Sequence, residues 1–194
     1  MTRPAVGEQT TLADRKRCAA QRLILGFEGT SPSAEFQTFV RQAPPAGFIL
    51  FARNIEEPRQ VLELNRELSS MLPDHSPALL SVDQEGGRVL RVRETPWPPM
   101  RWLGNIDDIE TTRKTAAAMG SELRAMGFNL DWAPCADVDS NPDNPVIGDR
   151  SISRDPAVVS RHVRAFLDGL HDMGVMGSVK HFPGHGDTNL DSHH

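Results

Sequence analysis

The stretch A-L-L-S-V-D-Q-E-G-G-R-V-L-R, Ala78 to Arg91, decides the fold of this chain. Ala78 to Val82 is short and mostly apolar, the pattern of a strand covered on both faces. The apolar run stops at Asp83, and Glu85 follows just before Gly86 and Gly87. A nucleotide-binding fold would place a glycine-rich phosphate cradle after such a strand, yet here acidic groups stand where phosphates would sit. Gly26-Phe27-Glu28-Gly29-Thr30 also has the wrong spacing for that cradle.

Working outward, four other stretches share the strand pattern: Leu23–Phe27, Gly47–Phe51, Asn129–Ala133 and Gly177–Lys180. Amphipathic helices are predicted between them. One opens at Pro58, a favoured first helical position, with Val61, Leu64, Leu68 and Met71 on one face. A second runs from about Thr111 to Met126 and stops at Gly127. A third starts at Asp155-Pro156 and carries Val159, Val163, Phe166 and Leu170. His75, His162 and His171 read as surface histidines, His171 at a helix C-terminus.

Strand–helix alternation implies a parallel α/β architecture. Arg53-Asn54, Asp83-Gln84-Glu85, Asp137 and Lys180-His181 all fall at or just after strand C-termini. A β/α barrel builds its site on that face, and so does an open doubly wound sheet, so placement alone leaves both open. A closed barrel needs eight strands and about 250 residues. Five predicted strands in 194 residues therefore imply either a smaller fold or the front part of a longer chain.

Composition narrows the function classes. Of the residues, 38% are hydrophobic and 24% charged, ordinary for a globular domain. A net charge of −5 offers no basic surface for nucleic acid. No apolar run has membrane-spanning length, and the first ten residues lack the apolar core of a signal peptide, so residues 1–12 read as a loose leader to a domain over 13–194. Cys18 and Cys135 form no C-x-x-C pair and read as reduced thiols of a cytoplasmic protein.

Three segments carry chemistry. In V-D-Q-E-G-G-R-V-L-R, Asp83 can accept hydrogen bonds from neighbouring sugar hydroxyls, with Arg88 and Arg91 reaching back as donors; a structural Asp–Arg pair at a turn explains it equally well. In N-P-D-N-P-V-I-G-D-R-S, Asn141 to Ser151, two Asn-Pro steps make a rigid loop ending at Arg150, which Asp149 could fix. The segment K-H-F-P-G-H-G-D-T-N-L-D-S-H-H, Lys180 to His194, is richer. Lys180 and His181 end a strand, Gly184 and Gly186 permit movement, and Asp191 lies two residues from His193. A carboxylate that holds an imidazole favours its protonated form, suiting it to donate a proton near neutral pH and take it back. Metal binding by His181, His185, Asp187 and His193 competes, but no familiar zinc spacing is present.

These motifs, in this order, resemble glycoside hydrolase family 3, in its branch of bacterial exo-acting β-N-acetylglucosaminidases of cell-wall recycling. G-F-E-G-T, G-F-I-L-F-A-R-N, V-D-Q-E-G-G-R-V, L-D-W-A-P-C-A-D-V-D, N-P-V-I-G-D-R-S and K-H-F-P-G-H-G-D-T-x-x-D-S-H carry the likeness from about Leu23 to His193. The resemblance implies a (β/α)8 TIM barrel of which about the first five β/α units are present. It implies that Asp83, Arg91, Arg150, Lys180 and His181 bind the non-reducing N-acetylglucosamine. It implies that His193, oriented by Asp191, is the general acid/base of a retaining hydrolase, with no metal and no cofactor. The substrate class would be muropeptide fragments, with neither nucleic acid nor membrane as partner.

The departures also set expectations. The family's nucleophilic aspartate lies later in the barrel, and no residue here takes its place by motif. Ser151-Ile152-Ser153-Arg154 differs from the family's aromatic-then-glycine form before Asp155-Pro156. His194 matches nothing in the motif. The chain reads as roughly three-fifths of such an enzyme, inactive by itself. Two alternatives follow: a non-catalytic sugar-binding fragment, or a phosphorylase in which phosphate attacks the glycosyl-enzyme.

Overall fold

The computed structural model describes residues 11–73 and 77–191. Its five-stranded sheet is wholly parallel, built from β1 (Ile24–Leu25), β2 (Gly47–Leu50), β3 (Leu79–Val82), β6 (Leu130–Asp131) and β7 (Met176–Gly177). The spatial order β1-β2-β3-β6-β7 follows the chain order, as in an arc of a β/α barrel rather than a doubly wound sheet with its strand-order reversal. Helices α2 (Ala34–Gln42), α3 (Pro58–Ser70), α5 (Ile109–Ala125) and α6 (Pro156–Asp172) connect successive strands. This agrees with an incomplete barrel of five β/α units. Among the described residues, β1 and β7 are the two open edges.

The first four predicted strands are present but shorter, and the fifth, predicted over Gly177–Lys180, is shifted to Met176–Gly177. Asn129 shows one reason: its side chain accepts from Leu80 N (2.8 Å) and donates to Ala78 O (2.8 Å), standing in for ladder bonds beside β6. Lys180 lies beyond β7 and makes only an isolated bridge to Cys135. Two features are additions to the predicted order. A small antiparallel pair, β4 (Gln84–Gly86) and β5 (Val89–Leu90), folds out of the motif after β3. Helices α1 (Leu12–Ala20) and α4 (Met100–Ile106) also form. Thr11 caps α1 through a reciprocal capping box with Asp14, so the helix begins inside the stretch read as leader; residues 1–10 lie outside the described residues.

The core follows the helical stripes. Val61, Leu64 and Leu68 of α3 are buried, as are Val159, Phe166 and Leu170 of α6, against Phe48, Leu50 and Val82 of the sheet. His162 corrects the sequence reading. It is fully buried, with Thr112 Oγ1 2.8 Å from its Nδ1 and Asp107 Oδ1 2.9 Å from its Nε2, because position 162 faces α5 rather than solvent. His171 is exposed, as expected, and His75 lies outside the described residues. Among the described residues, no helix is long and apolar enough to cross a membrane.

Helices α5 and α6 touch at Gly169, where a Cβ would meet the backbone oxygen of Arg113, with Ala116 Cβ at 2.8 Å. Replacing Gly169 by Ala is expected to lower unfolding stability by about 1–3 kcal/mol through overpacking, read as a fall in urea midpoint. An unchanged midpoint would show that the two helices can part without loss.

Candidate active site

The parallel strands deliver their C-terminal ends to one face, and a single network of charged side chains occupies it. Asp83 leaves β3, Glu85 sits in β4, Arg91 follows β5, and Asp137 follows β6. Arg150 ends the short 3-10 turn Gly148–Arg150, and Lys180 and His181, joined by a cis peptide, follow β7. Arg91 Nη2 lies 3.8 Å from Asp83 Oδ2. Lys180 Nζ donates to Asp83 Oδ1 (2.7 Å) and forms an ion pair with Glu85 Oε1 (2.5 Å). Arg150 grips Glu85 with Nε and Nη2, each at 2.8 Å, and its Nη2 lies 3.4 Å from His181 Nε2. His181 Nδ1 is 2.6 Å from Asp137 Oδ2. Three cations and three carboxylates thus alternate along one chain that ends in an imidazole–carboxylate pair.

Burial and pairing set the charge states. Burial works against ionised Glu85, but the hydrogen bond from Arg150 and the charge of Lys180 outweigh it and lower its pKa. Burial likewise opposes Arg150, yet Glu85 raises its pKa. Burial also opposes ionised Asp137, while hydrogen bonds from His181 and from the backbone N–H of His185 bring its pKa down to about 2. Asp131 differs. Fully buried at the end of β6, it accepts from Gln84 N at 2.9 Å, and its other oxygen has no partner. Burial raises its pKa well above the carboxylate range, favouring the neutral acid.

Local chemistry explains the placement. Gln84 Oε1 accepts from Arg91 N (3.0 Å) and Val92 N (3.1 Å), while its Nε2 donates to Val92 O (2.8 Å), pinning the backbone that carries Arg91. Gly86, at φ +96°, turns the chain where a Cβ would strike Pro98 O. Asn144 Oδ1 accepts from Val146 N and Ile147 N (both 2.8 Å) and so shapes the loop that presents Arg150. Asn54 donates to Phe27 O and Gly29 O, and Arg53 turns to Phe27 O and Glu28; these two residues brace neighbouring loops rather than join the cluster.

Of the sequence-predicted site residues, the structure brings together Asp83, Arg91, Arg150, Lys180 and His181. Asp191 is half-buried, and His193 lies outside the described residues, as does His194. Two partner assignments are corrected. Arg150 pairs with Glu85, not with Asp149, because the guanidinium turns inward to a buried carboxylate. Arg88 does not reach back to Asp83; it bonds Val146 O (2.6 Å) and Asp149 (3.2 Å) on the facing loop. The glycine-rich segment also differs from a freely moving loop over residues 185–188. Asn144 donates to His185 O (2.7 Å), Asn141 to Thr188 O (3.0 Å) and Ser140 to Asp187 (2.9 Å). Gly186 serves close approach there, since a Cβ would strike Val138 O. Ser151, just before the stretch where the chain departs from the family pattern, donates to Asp137 O (2.6 Å) and ties that loop to the cluster.

Sequence reasoning did not single out Glu85 and Asp137 as site residues, although both were seen at strand ends. The available signal was a carboxylate two residues past Asp83, which points to the same side of an extended chain.

Cys135, Asp137 and His181 place three possible metal ligands within 4.8 Å of one another. Burial, then the Asp137 charge, pushes the Cys135 thiol well up. Its Sγ donates to Asp137 Oδ2 at 3.2 Å, the same oxygen that lies 2.6 Å from His181 Nδ1. Among the described residues, the His181 and His185 rings stand edge to face with centroids 6.0 Å apart, while Thr188 lies against His185 Nδ1 and Ser140 donates to Asp187; His193 lies outside the described residues.

Fold and site together define a β/α-barrel domain with a polar, charge-balanced site at its strand C-termini. The chain belongs to glycosyl hydrolase family 3: the family's N terminal domain matches residues 16–194. A solved glycoside hydrolase family 3 β-N-acetylglucosaminidase from Paenibacillus sp. str. FPU-7 is 40% identical, with TM-score 0.88 over 95% of this chain and 35% of its own. NagZ from Neisseria gonorrhoeae, solved in complex with N-trifluoroacetyl-D-glucosamine, is 31% identical, with TM-score 0.82 over 88% of this chain and 52% of its own. The β-hexosaminidase of Xylella fastidiosa (strain M23) is 38% identical over 88% of this chain and 52% of its own. The β-hexosaminidase A of Pseudoalteromonas piscicida is 36% identical, and only 33% of its length is covered. The chain thus spans between a third and about half of these relatives.

Because the Asp137 pKa falls from 3.8 to about 2 on folding, its ionised form stabilises the fold above about pH 4, and that contribution fades as pH drops toward 2. The stability gap between wild type and Asp137→Asn is therefore expected to narrow as pH falls from about 4 toward 2. Urea midpoints at a series of pH values check this, and a gap that persists at the acid end contradicts it.

Proposed function

We propose that the protein carrying these residues is a retaining β-N-acetylglucosaminidase that removes terminal, non-reducing N-acetylglucosamine from muropeptides during peptidoglycan recycling in the cytoplasm. The observation that carries this reading is the convergence of Asp83, Arg91, Arg150, Lys180 and His181 in one network at the barrel mouth. Such a cluster presents both acceptors and charged donors, as a ring bearing several hydroxyls requires. The 40% identity to a β-N-acetylglucosaminidase supports the choice of sugar.

In this mechanism Asp83 accepts from sugar hydroxyls, and Arg91, Arg150 and Lys180 donate to hydroxyl oxygens. His181, held through Nδ1 by Asp137 and lying beside Arg150 through Nε2, lines the sugar site. His193, steadied by Asp191, protonates the leaving oxygen and later deprotonates the attacking water. A carboxylate from a later strand of the barrel is the nucleophile that forms the glycosyl-enzyme.

Joined to the rest of the barrel, this chain is expected to release p-nitrophenol from p-nitrophenyl N-acetyl-β-D-glucosaminide. His193→Ala should slow release by about 10²- to 10⁴-fold, the usual share of a general acid/base. Normal turnover by His193→Ala contradicts the assignment. Phosphate-dependent formation of sugar 1-phosphate would move the activity from hydrolysis to phosphorolysis.

A further inference from the structure

We propose that Glu85 is a positioning residue: a buried carboxylate that does not touch the sugar but sets Lys180 and Arg150 in the geometry that binds it. The inference rests on the sugar-site reading above. Its side chain is 1% exposed, against 12% for Arg150, 15% for Lys180 and 18% for Asp83, so Glu85 lies beneath the groups that face a ligand. It stands in the middle of the charged chain and is its only member bonded to both cations of the inner pair.

The geometry shows what it does. Two parallel bonds at 2.8 Å fix the plane of the Arg150 guanidinium, which a single contact would leave free to rotate. The oxygen that accepts from Arg150 Nη2 also receives Lys180 Nζ. One anion therefore holds two like charges together at a single point. An ammonium has three donors. Asp83 takes one of them from Lys180, and Glu85 pairs with the same ammonium as an ion, so the Lys180 head is held between two anions. Without Glu85, Lys180 and Arg150 repel, and three cations face two carboxylates.

Glu85→Gln keeps the shape and removes the charge. The Arg150 Nε–H is the direct probe, its NMR signal identified by its loss in Arg150→Lys. In the wild type this proton should exchange slowly with water; in Glu85→Gln it should exchange fast. The affinity for N-acetylglucosamine by titration calorimetry should fall about 10- to 100-fold, the usual effect of losing a group that orients ligand-binding residues. Glu85→Asp, which restores the charge on a shorter stem, should recover part of both. Unchanged exchange in Glu85→Gln overturns the proposal, as does fast exchange with undiminished affinity. If Glu85→Gln does not fold by circular dichroism, Glu85→Asp decides: a loosened Arg150 with wild-type affinity overturns it. Absence of N-acetylglucosamine binding by the wild type overturns the sugar reading instead, and the Arg150 exchange rate then decides the anchoring alone.

Discussion

The Glu85 carboxylate takes two charge-assisted hydrogen bonds from Arg150 and an ion pair with Lys180, in a nearly water-free position. An ion there is costly to bury unless every partner is in place. Those partners come from distant parts of the chain: Arg150 from the loop after β6 and Lys180 from the end of β7. The ionised state of Glu85 therefore depends on the whole arc of strands closing in register. The same dependence runs in reverse, since Lys180 and Arg150 can approach each other only with an anion between them.

The fold supplies this convergence cheaply. Parallel strands in chain order put all their C-terminal ends on one side, and each strand needs to add only one or two polar residues. The loops that follow are then fastened to one another. Asn141 and Asn144 bind the 137–151 loop to residues 185–188, and Ser151 binds it back to Asp137. His181 gains its orientation from that fastening, because Asp137 receives both its ring and its backbone N–H. The buried acid Asp131, at the base of the cluster, adds no further negative charge in its neutral form.

Much of this was legible in the sequence, for physical reasons. The five strands showed as short apolar runs, and α3 and α6 as stripes of buried residues that the structure confirms at Val61, Leu64, Leu68, Phe166 and Leu170. Of the candidate site residues, Asp83, Lys180 and His181 stood out as charged groups at the ends of strands, while Arg91 and Arg150 were indicated by the resemblance. What escaped were facts of pairing. Nothing local says that Arg150 turns from its neighbour Asp149 to Glu85, 65 residues away. Nothing local says that His162 is buried, because its partners Thr112 and Asp107 lie on other helices. The glycines of the final segment looked like hinges, yet Gly186 is a point of close contact, a distinction that needs the facing Val138 carbonyl.

The central claim is that one charge-alternating network at the strand ends binds a sugar. A crystal structure with N-acetylglucosamine tests it most directly. The account predicts the ring at the mouth of the network, with hydroxyls within hydrogen-bond reach of Asp83, Arg150, Lys180 and His181 and with Glu85 beneath them untouched. A sugar bound elsewhere, or density showing Lys180 and Arg150 apart from Glu85, would contradict it.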